Sequence, residues 1–320
     1  MRELTGVMFS ASDMQAYDDC AARFYHSKQR YDHVLETDRT AADVSSAIHD
    51  ALMTLHRQVE QALRTGRVPT GAEAAARLDK LVEAQLRRKR LDPTDPAIAA
   101  RLGGVADGLA RTSQLIVDDV PLWAIDGSTG DPLVWVEAPL DHGSLIRAVQ
   151  MGEGYLARTR PDVIGVQLTS SGIFRPLVRD YKARNEIVHP AFDTGILVRG
   201  IWVALELQQP RCQWFLANRA IELDRGAVDL ETVNLPHADG DDFLIHTTIS
   251  VERLLQERDR LTALMGEMAD TLAADVLDVP ASPGGLCARW CPYLDRCQPG
   301  MAHVRKYLGV DALHERLGEI

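Results

Sequence analysis

Two aspartates and a lysine fall at the ends of what reads as a single hairpin. Arg160-Pro161-Asp162-Val163-Ile164-Gly165-Val166-Gln167-Leu168 is β-rich, and so is the run from Ile173 to Lys182. Thr169-Ser170-Ser171-Gly172 supplies the turn between them. Antiparallel pairing would fold Asp162, at the start of the first strand, back towards Asp180, near the end of the second. Lys182 lies two residues beyond Asp180 and by strand periodicity shares its face. Two carboxylates and an ammonium gathered in this way can hold a hard divalent cation and leave a positive charge beside its bound water. An Asp-x-Lys triplet at a strand end is also a common solvated ion pair. The composition favours the first reading, because positive charge comes almost wholly from arginine. Lysine occurs only at Lys28, Lys80, Lys89, Lys182 and Lys306, so a compact amine whose pKa can be adjusted stands out at Lys182.

A second constellation lies near the C-terminus. Cys287, Cys291 and Cys297 form a C-x3-C-x5-C run in a loop bounded by glycine and proline, a spacing that lets thiolates converge on a metal. Five cysteines in a cytosolic chain of this length point to ligation rather than to a disulfide framework. Cys212, in Arg211-Cys212-Gln213-Trp214, reads as a packed strand residue.

The 320 residues are 46% hydrophobic, enough for a sizeable core, and carry a net charge of −11. That balance argues against a protein that coats polyanions generally, but it permits a local phosphate site. No apolar run is long enough to span a bilayer and the N-terminus lacks a signal-peptide pattern, so a soluble, cytoplasmic protein is expected.

The elements that must position these residues follow from periodicity and punctuation. Ser12 reads as the N-cap of a helix to about residue 25, with Ala16, Cys20 and Phe24 on one face. Val44, Ala47, Ile48, Ala51, Leu52 and Leu55 form a helical stripe from Ala41 to His56, with His49 beside it. A helix from about Ala72 ends in the basic run Arg87-Arg88-Lys89-Arg90, and a third is predicted from Ala97 to Val117. The basic run is either a phosphate contact or a solvated helix end favoured by the macrodipole. Leu133–Glu137 reads as a strand feeding the hairpin, Ile196–Leu205 as a helix on the sheet, and 213–235 as further strands. A long helix is predicted from Val251 to Leu277, with a Pro/Gly linker at 278–285 and a short closing helix. The expected divisions are an N-terminal segment 1–40 with Cys20, a helical region 41–118, an α/β core 119–277 and a cysteine module 278–320.

Asp162 followed by Asp180-Tyr181-Lys182 resembles the D…D-x-K core of the PD-(D/E)XK nuclease superfamily. It is similar to the RecB-like variant, in which a histidine precedes on an upstream helix, here His49 in Ser45-Ser46-Ala47-Ile48-His49. Ser10-Ala11-Ser12, Tyr17-Asp18-Asp19-Cys20 and Phe24, together with the late cysteine trio, resemble the iron–sulfur branch that includes the CRISPR-associated exonucleases. The resemblance runs from near residue 10 to near 298.

What it implies is an α/β, restriction-endonuclease-like mixed sheet flanked by helices, with a helical insertion. It implies Mg²⁺ or Mn²⁺ on Asp162, Asp180, His49 and the Tyr181 carbonyl, with Lys182 orienting or helping to deprotonate the attacking water and offsetting charge on the phosphate. Glu137 is a possible neighbour of that ion. Cys20, Cys287, Cys291 and Cys297 would hold a [4Fe-4S] cluster; zinc on the same thiolates is the alternative. The implied activity is exonucleolytic cleavage of single-stranded DNA ends in recombination, repair or CRISPR-related processing, with protein partners of such complexes. A catalytically silent nucleic-acid-binding subunit and a zinc-stabilised interaction protein are the other classes. Departures from the family pattern are Ala21 for a proline, Thr159 for a glycine, and a spacing of three rather than two between Cys287 and Cys291. The helix after Lys182 lacks the usual glutamine and has Trp202 for a tyrosine.

Overall fold

The computed structural model describes residues 6–32, 39–119, 135–136, 147–159, 162–209, 223–285, 287 and 290–318. Cys212 and Glu137 lie outside them. In chain order the first elements are β1 (Val7–Ser10), α1 (Ala11–Asp19), α2 (Ala21–Lys28), α3 (Thr40–Arg64), α4 (Gly71–Arg88), α5 (Pro96–Gly103) and α6 (Ala106–Asp119). Then come β2 (Trp135–Val136), β3 (Arg147–Gly152), β4 (Tyr155–Thr159), β5 (Val163–Leu168), β6 (Phe174–Lys182), α7 (Thr194–Leu207), β7 (Ala227–Asn234) and β8 (Leu244–Ser250). The chain continues through α8 (Val251–Ala273), α9 (Gln298–Leu308) and α10 (Val310–Leu317). This is the mixed α/β architecture expected, with two mixed sheets flanked by helices. Among the described residues no helix is long and apolar enough to cross a membrane.

The contacts divide the chain into two compact units that are not successive segments. One comprises 1–39, 150–158 and 259–320; the other comprises 40–149 and 159–258.

In the first unit, β1 runs parallel to β4, with Val7 opposite Tyr155 and Ser10 opposite Arg158. Phe24 packs edge-on to Tyr17 at 5.5 Å and near Phe9 at 5.9 Å. The single helix expected from Ser12 forms instead as two. Ser10 is the cap: its hydroxyl accepts the Asp13 N–H at 3.1 Å, and the Asp13 carboxylate accepts the Ser10 N–H at 2.9 Å. Extended backbone at Cys20 then breaks the helix, and the Ala22 N–H donates to the Pro280 carbonyl at 3.0 Å. The closing helix is likewise two, α9 and α10, separated by Gly309 at φ +97°, a conformation that side chains resist.

The second unit is built on a five-stranded sheet of order β2-β5-β6-β7-β8. The anticipated hairpin is there: β5 and β6 pair antiparallel, Val163 opposite Arg179 and Leu168 opposite Phe174. β6 and β7 are parallel, so the chain must cross over between them, and α7 makes that crossing. β8, not anticipated from the sequence, closes the edge antiparallel to β7.

Val163, Leu177, Tyr181 and Val233 on one sheet face share a core with Ala47, Ile48, Ala51 and Leu52 of α3 and Leu78 and Leu86 of α4. The predicted helix 97–117 is split into α5 and α6 around Gly103-Gly104. Further on, Gly108 brings α6 so close that a Cβ there would lie 1.9 Å from the Leu235 carbonyl oxygen.

β6 carries buried charge on this face too. Arg179, 1% exposed, donates to Glu231 at 2.7 Å, and Glu231 meets His246 Nδ1 at 3.1 Å. The three residues sit opposite one another on β6, β7 and β8. Burial would raise the Glu231 carboxyl, but Arg179 and then His246 outweigh it and bring it down to about 2 from an ordinary 4.5. Such a group adds stability above its ordinary pKa and loses it as pH falls through the depressed value. Glu231→Gln is therefore expected to lower stability at neutral pH by about 3 kcal/mol. Measured by denaturant unfolding, the deficit should shrink steadily below about pH 4.5.

Candidate active site

The start of β5 and the end of β6 bring Asp162 and Asp180 together, 2% and 4% exposed. The Tyr181 N–H donates to Asp162 Oδ2 at 3.1 Å, which fixes one carboxylate to the neighbouring strand. Lys182 Nζ lies 2.6 Å from Asp180 Oδ2, as the shared face requires. From α3, His49 Nε2 reaches Asp162 Oδ1 at 2.6 Å. Tyr181 also turns its hydroxyl to His56 Nε2 at 2.6 Å. Burial, then Arg179, push His56 down to about 3, so its imidazole is neutral at physiological pH. All four predicted side chains, His49, Asp162, Asp180 and Lys182, are brought to one place.

Two further residues complete the site and were not predicted. Arg199, on α7, sets Nη1 against Asp180 Oδ1 and Nη2 3.7 Å from Asp162 Oδ1. Its buried Nε has no hydrogen-bond partner among the described residues. Asp193 caps α7 by accepting the Ile196 N–H at 3.0 Å, and its other oxygen holds Lys182 Nζ at 3.0 Å. A sequence signal for Arg199 existed. It is the one charge in Ile196-Leu197-Val198-Arg199-Gly200-Ile201-Trp202-Val203-Ala204-Leu205, and a charge in a helix buried along that run needs a partner. Trp202, by contrast, is only 6% exposed and belongs to the core.

The electrostatics of the pair are asymmetric. Burial and then the Asp180 charge raise the Asp162 carboxyl, against Arg199 and His49. Burial also acts to raise Asp180, but Arg199 and Lys182 prevail and hold it well below the usual carboxylate range. Burial would lower His49 and Lys182; the charges of Asp162 on the one and of Asp180 and Asp193 on the other hold both above their ordinary values. Lys182 is thus held as an ammonium, a hydrogen-bond donor to Asp180 and Asp193.

The basic run lies at the end of α4 in the same unit. Lys89 Nζ donates to Ser46 Oγ at 2.9 Å and lies 3.3 Å from Asp50, flanking His49 on α3. Arg87 pairs with Glu83 one turn back, while Arg88 and Arg90 are exposed.

In the other unit, the four candidate cysteines are free thiols. Cys20 Sγ accepts the Ser282 N–H, Cys287 Sγ the Gly284 N–H and Cys297 Sγ the Gly300 N–H, each at 3.4 Å. Burial raises Cys291 and Cys297, and the neighbouring sulfurs add to it: Cys287 and Cys297 on the first, Cys20 and Cys287 on the second. Among the described residues, no three His, Cys, Asp or Glu side chains are grouped as they stand so as to hold a metal ion. In the Asp162–Asp180 pair the oxygens are engaged by Arg199, Lys182, His49 and the Tyr181 N–H.

Compared with known families, residues 8–298 match the model of the PD-(D/E)XK nuclease superfamily. No curated protein matches the chain.

Among the described residues Arg199 is the one cation in contact with both carboxylates, so its loss should be felt in stability first. Arg199→Gln is expected to cost on the order of 3 kcal/mol at neutral pH, where the pair repels itself. In thermal unfolding followed by circular dichroism, the deficit should narrow as the pH falls and Asp162, whose carboxyl is held above its ordinary value, takes up a proton. An equal deficit at every pH would mean that Arg199 acts by packing alone.

Proposed function

The chain belongs to the PD-(D/E)XK nuclease superfamily, and on that premise we propose that it is a divalent-metal-dependent DNA exonuclease acting on single-stranded ends. Its setting would be recombination, repair or CRISPR- and phage-related DNA processing, within complexes that supply protein partners. One observation carries the reading: two buried carboxylates, a lysine 2.6 Å from one of them and a histidine 2.6 Å from the other converge from three elements.

Hard carboxylate oxygens with one imidazole suit Mg²⁺ or Mn²⁺. Asp162, Asp180, His49 and the Tyr181 carbonyl would hold the ion. When bound it would lower the pKa of a water and polarise the phosphate. Lys182, steadied by Asp193, would orient that water and offset charge growing on the phosphoryl oxygens. Asp193 is the positioning residue that shares the ammonium with Asp180. Arg88, Lys89 and Arg90, with Arg87, would contact phosphates of the strand; the tether of Lys89 beside His49 supports this.

Cys20, Cys287, Cys291 and Cys297 would bind a structural [4Fe-4S] cluster, or zinc in its place. Support comes from four sulfurs within one compact unit, three of them accepting N–H donors as cluster thiolates do. The cluster would staple the N-terminal helices to the C-terminal loop of that unit.

A second reading, a catalytically silent DNA-binding subunit, is favoured by Arg199, which already gives both carboxylates a counter-charge. End-labelled single-stranded DNA with and without Mn²⁺ decides between them. Metal-dependent shortening is expected of the wild type, and tight binding without cleavage would support the silent subunit. Lys182→Ala should abolish cleavage with DNA affinity near wild type, since it removes help given mainly in the transition state. A nearly full single-turnover rate in that variant would show that the site is misassigned.

Iron and acid-labile sulfide, measured across all five single cysteine-to-alanine variants, test the cluster. Cys20, Cys287, Cys291 and Cys297 variants should lose both, together with the brown colour and several degrees of melting temperature, whereas Cys212→Ala should keep them. Zinc without sulfide in the wild type would replace the cluster by its alternative.

A further inference from the structure

Phe192 is 83% exposed, yet the loop that presents it is firmly tied. The loop joins β6 to α7, directly after Lys182. His237 Nε2 bonds the Asn185 carbonyl at 2.7 Å. The Val188 N–H donates to Asn234 Oδ1 at 3.1 Å, and its carbonyl accepts from the Thr232 hydroxyl and from Asn234 Nδ2. Thr232 and Asn234 are wholly buried, so this tie is anchored in the sheet. Nearer the tip, the Phe192 N–H donates to the His189 carbonyl at 3.1 Å. The next residue, Asp193, is held by both Lys182 and the first turn of α7.

A loose loop exposes an aromatic ring by accident of its motion. Here the backbone on both sides of the ring is fixed, and the ring stands one residue from the partner of the candidate catalytic lysine. His189 lies against it, ring centroids 5.3 Å apart and tilted by 44°. Arg184, half-exposed, is 3.4 Å from Asp193 and places a guanidinium on the same short loop. An exposed ring backed by an imidazole, with cations close by, is the chemistry that receives a base face and its phosphate.

We propose that Phe192, backed by His189, is the stacking platform for an unpaired nucleobase beside the phosphodiester presented to Lys182. The inference rests on the nuclease reading and deepens it. Bases inside a duplex have both faces covered, so a fixed platform at this place selects single strands or frayed ends. It gives the chain a strand-handling ring that buried Trp202 does not supply.

The test uses full-length protein in metal-free buffer and single-stranded oligonucleotides carrying 2-aminopurine at successive positions. In the wild type one position should be quenched on binding. Phe192→Ala should relieve that quench and weaken affinity about tenfold, with the melting temperature unchanged; Phe192→Tyr should restore both. With Mn²⁺ present, Phe192→Ala should raise KM far more than it lowers kcat. A quench that persists in Phe192→Ala, or no quenched position in the wild type, overturns the platform. Failure of the nuclease reading is seen separately, as absence of metal-dependent cleavage by the wild type.

Discussion

Two carboxylates buried side by side repel each other and lose their hydration, so they persist only where positive charge is brought to them. Asp162 and Asp180 are almost wholly buried, and the second unit is arranged to satisfy them. Each balancing group comes from a different element: Lys182 from β6, Arg199 from α7 and His49 from α3. The pair therefore couples the hairpin to a helix on each side of it. The unequal supply of charge leaves Asp180 firmly ionised and Asp162 the more easily protonated member. A bound cation would act on an already polarised pair.

β6 bears this charge on one face and Arg179 on the other, so the strand is charged inside on both sides. Arg179 is answered across the sheet by Glu231 and His246, while Tyr181, next along, meets the neutral His56 of α3. Two buried polar networks back to back explain why β6 lies inside the sheet, between β5 and the parallel β7. There its backbone groups are paired on both edges and its side chains can be held in fixed directions.

The hairpin could be read from the chain because its signals are local: β-rich runs, a Ser/Gly turn and a two-residue period that puts Asp180 and Lys182 on one face. His49 needed the family resemblance, since a helical histidine says nothing of its partner until α3 is packed on the sheet. Arg199 and Asp193 lie beyond Lys182 in sequence, and their roles depend on how α7 crosses over. Helix boundaries depart from the sequence pattern where a tertiary contact decides them. Cys20 breaks the helix predicted from Ser12 where the Pro280 carbonyl takes the Ala22 N–H. β8 pairs with a strand just before it, yet its Leu-Ile-His-Thr-Thr-Ile-Ser run carries too mixed a face to announce itself.

If the buried aspartate pair is a cation site, ion binding must depend on it whatever the substrate or pathway. The most direct measurement is Mn²⁺ uptake, read by electron paramagnetic resonance of the free ion, in the wild type and in Asp162→Asn, with folding checked by circular dichroism. Saturable uptake by the wild type that is lost in the folded variant is the expected result. Equal uptake by the two proteins would contradict the assignment of Asp162 and Asp180 as the centre of the site.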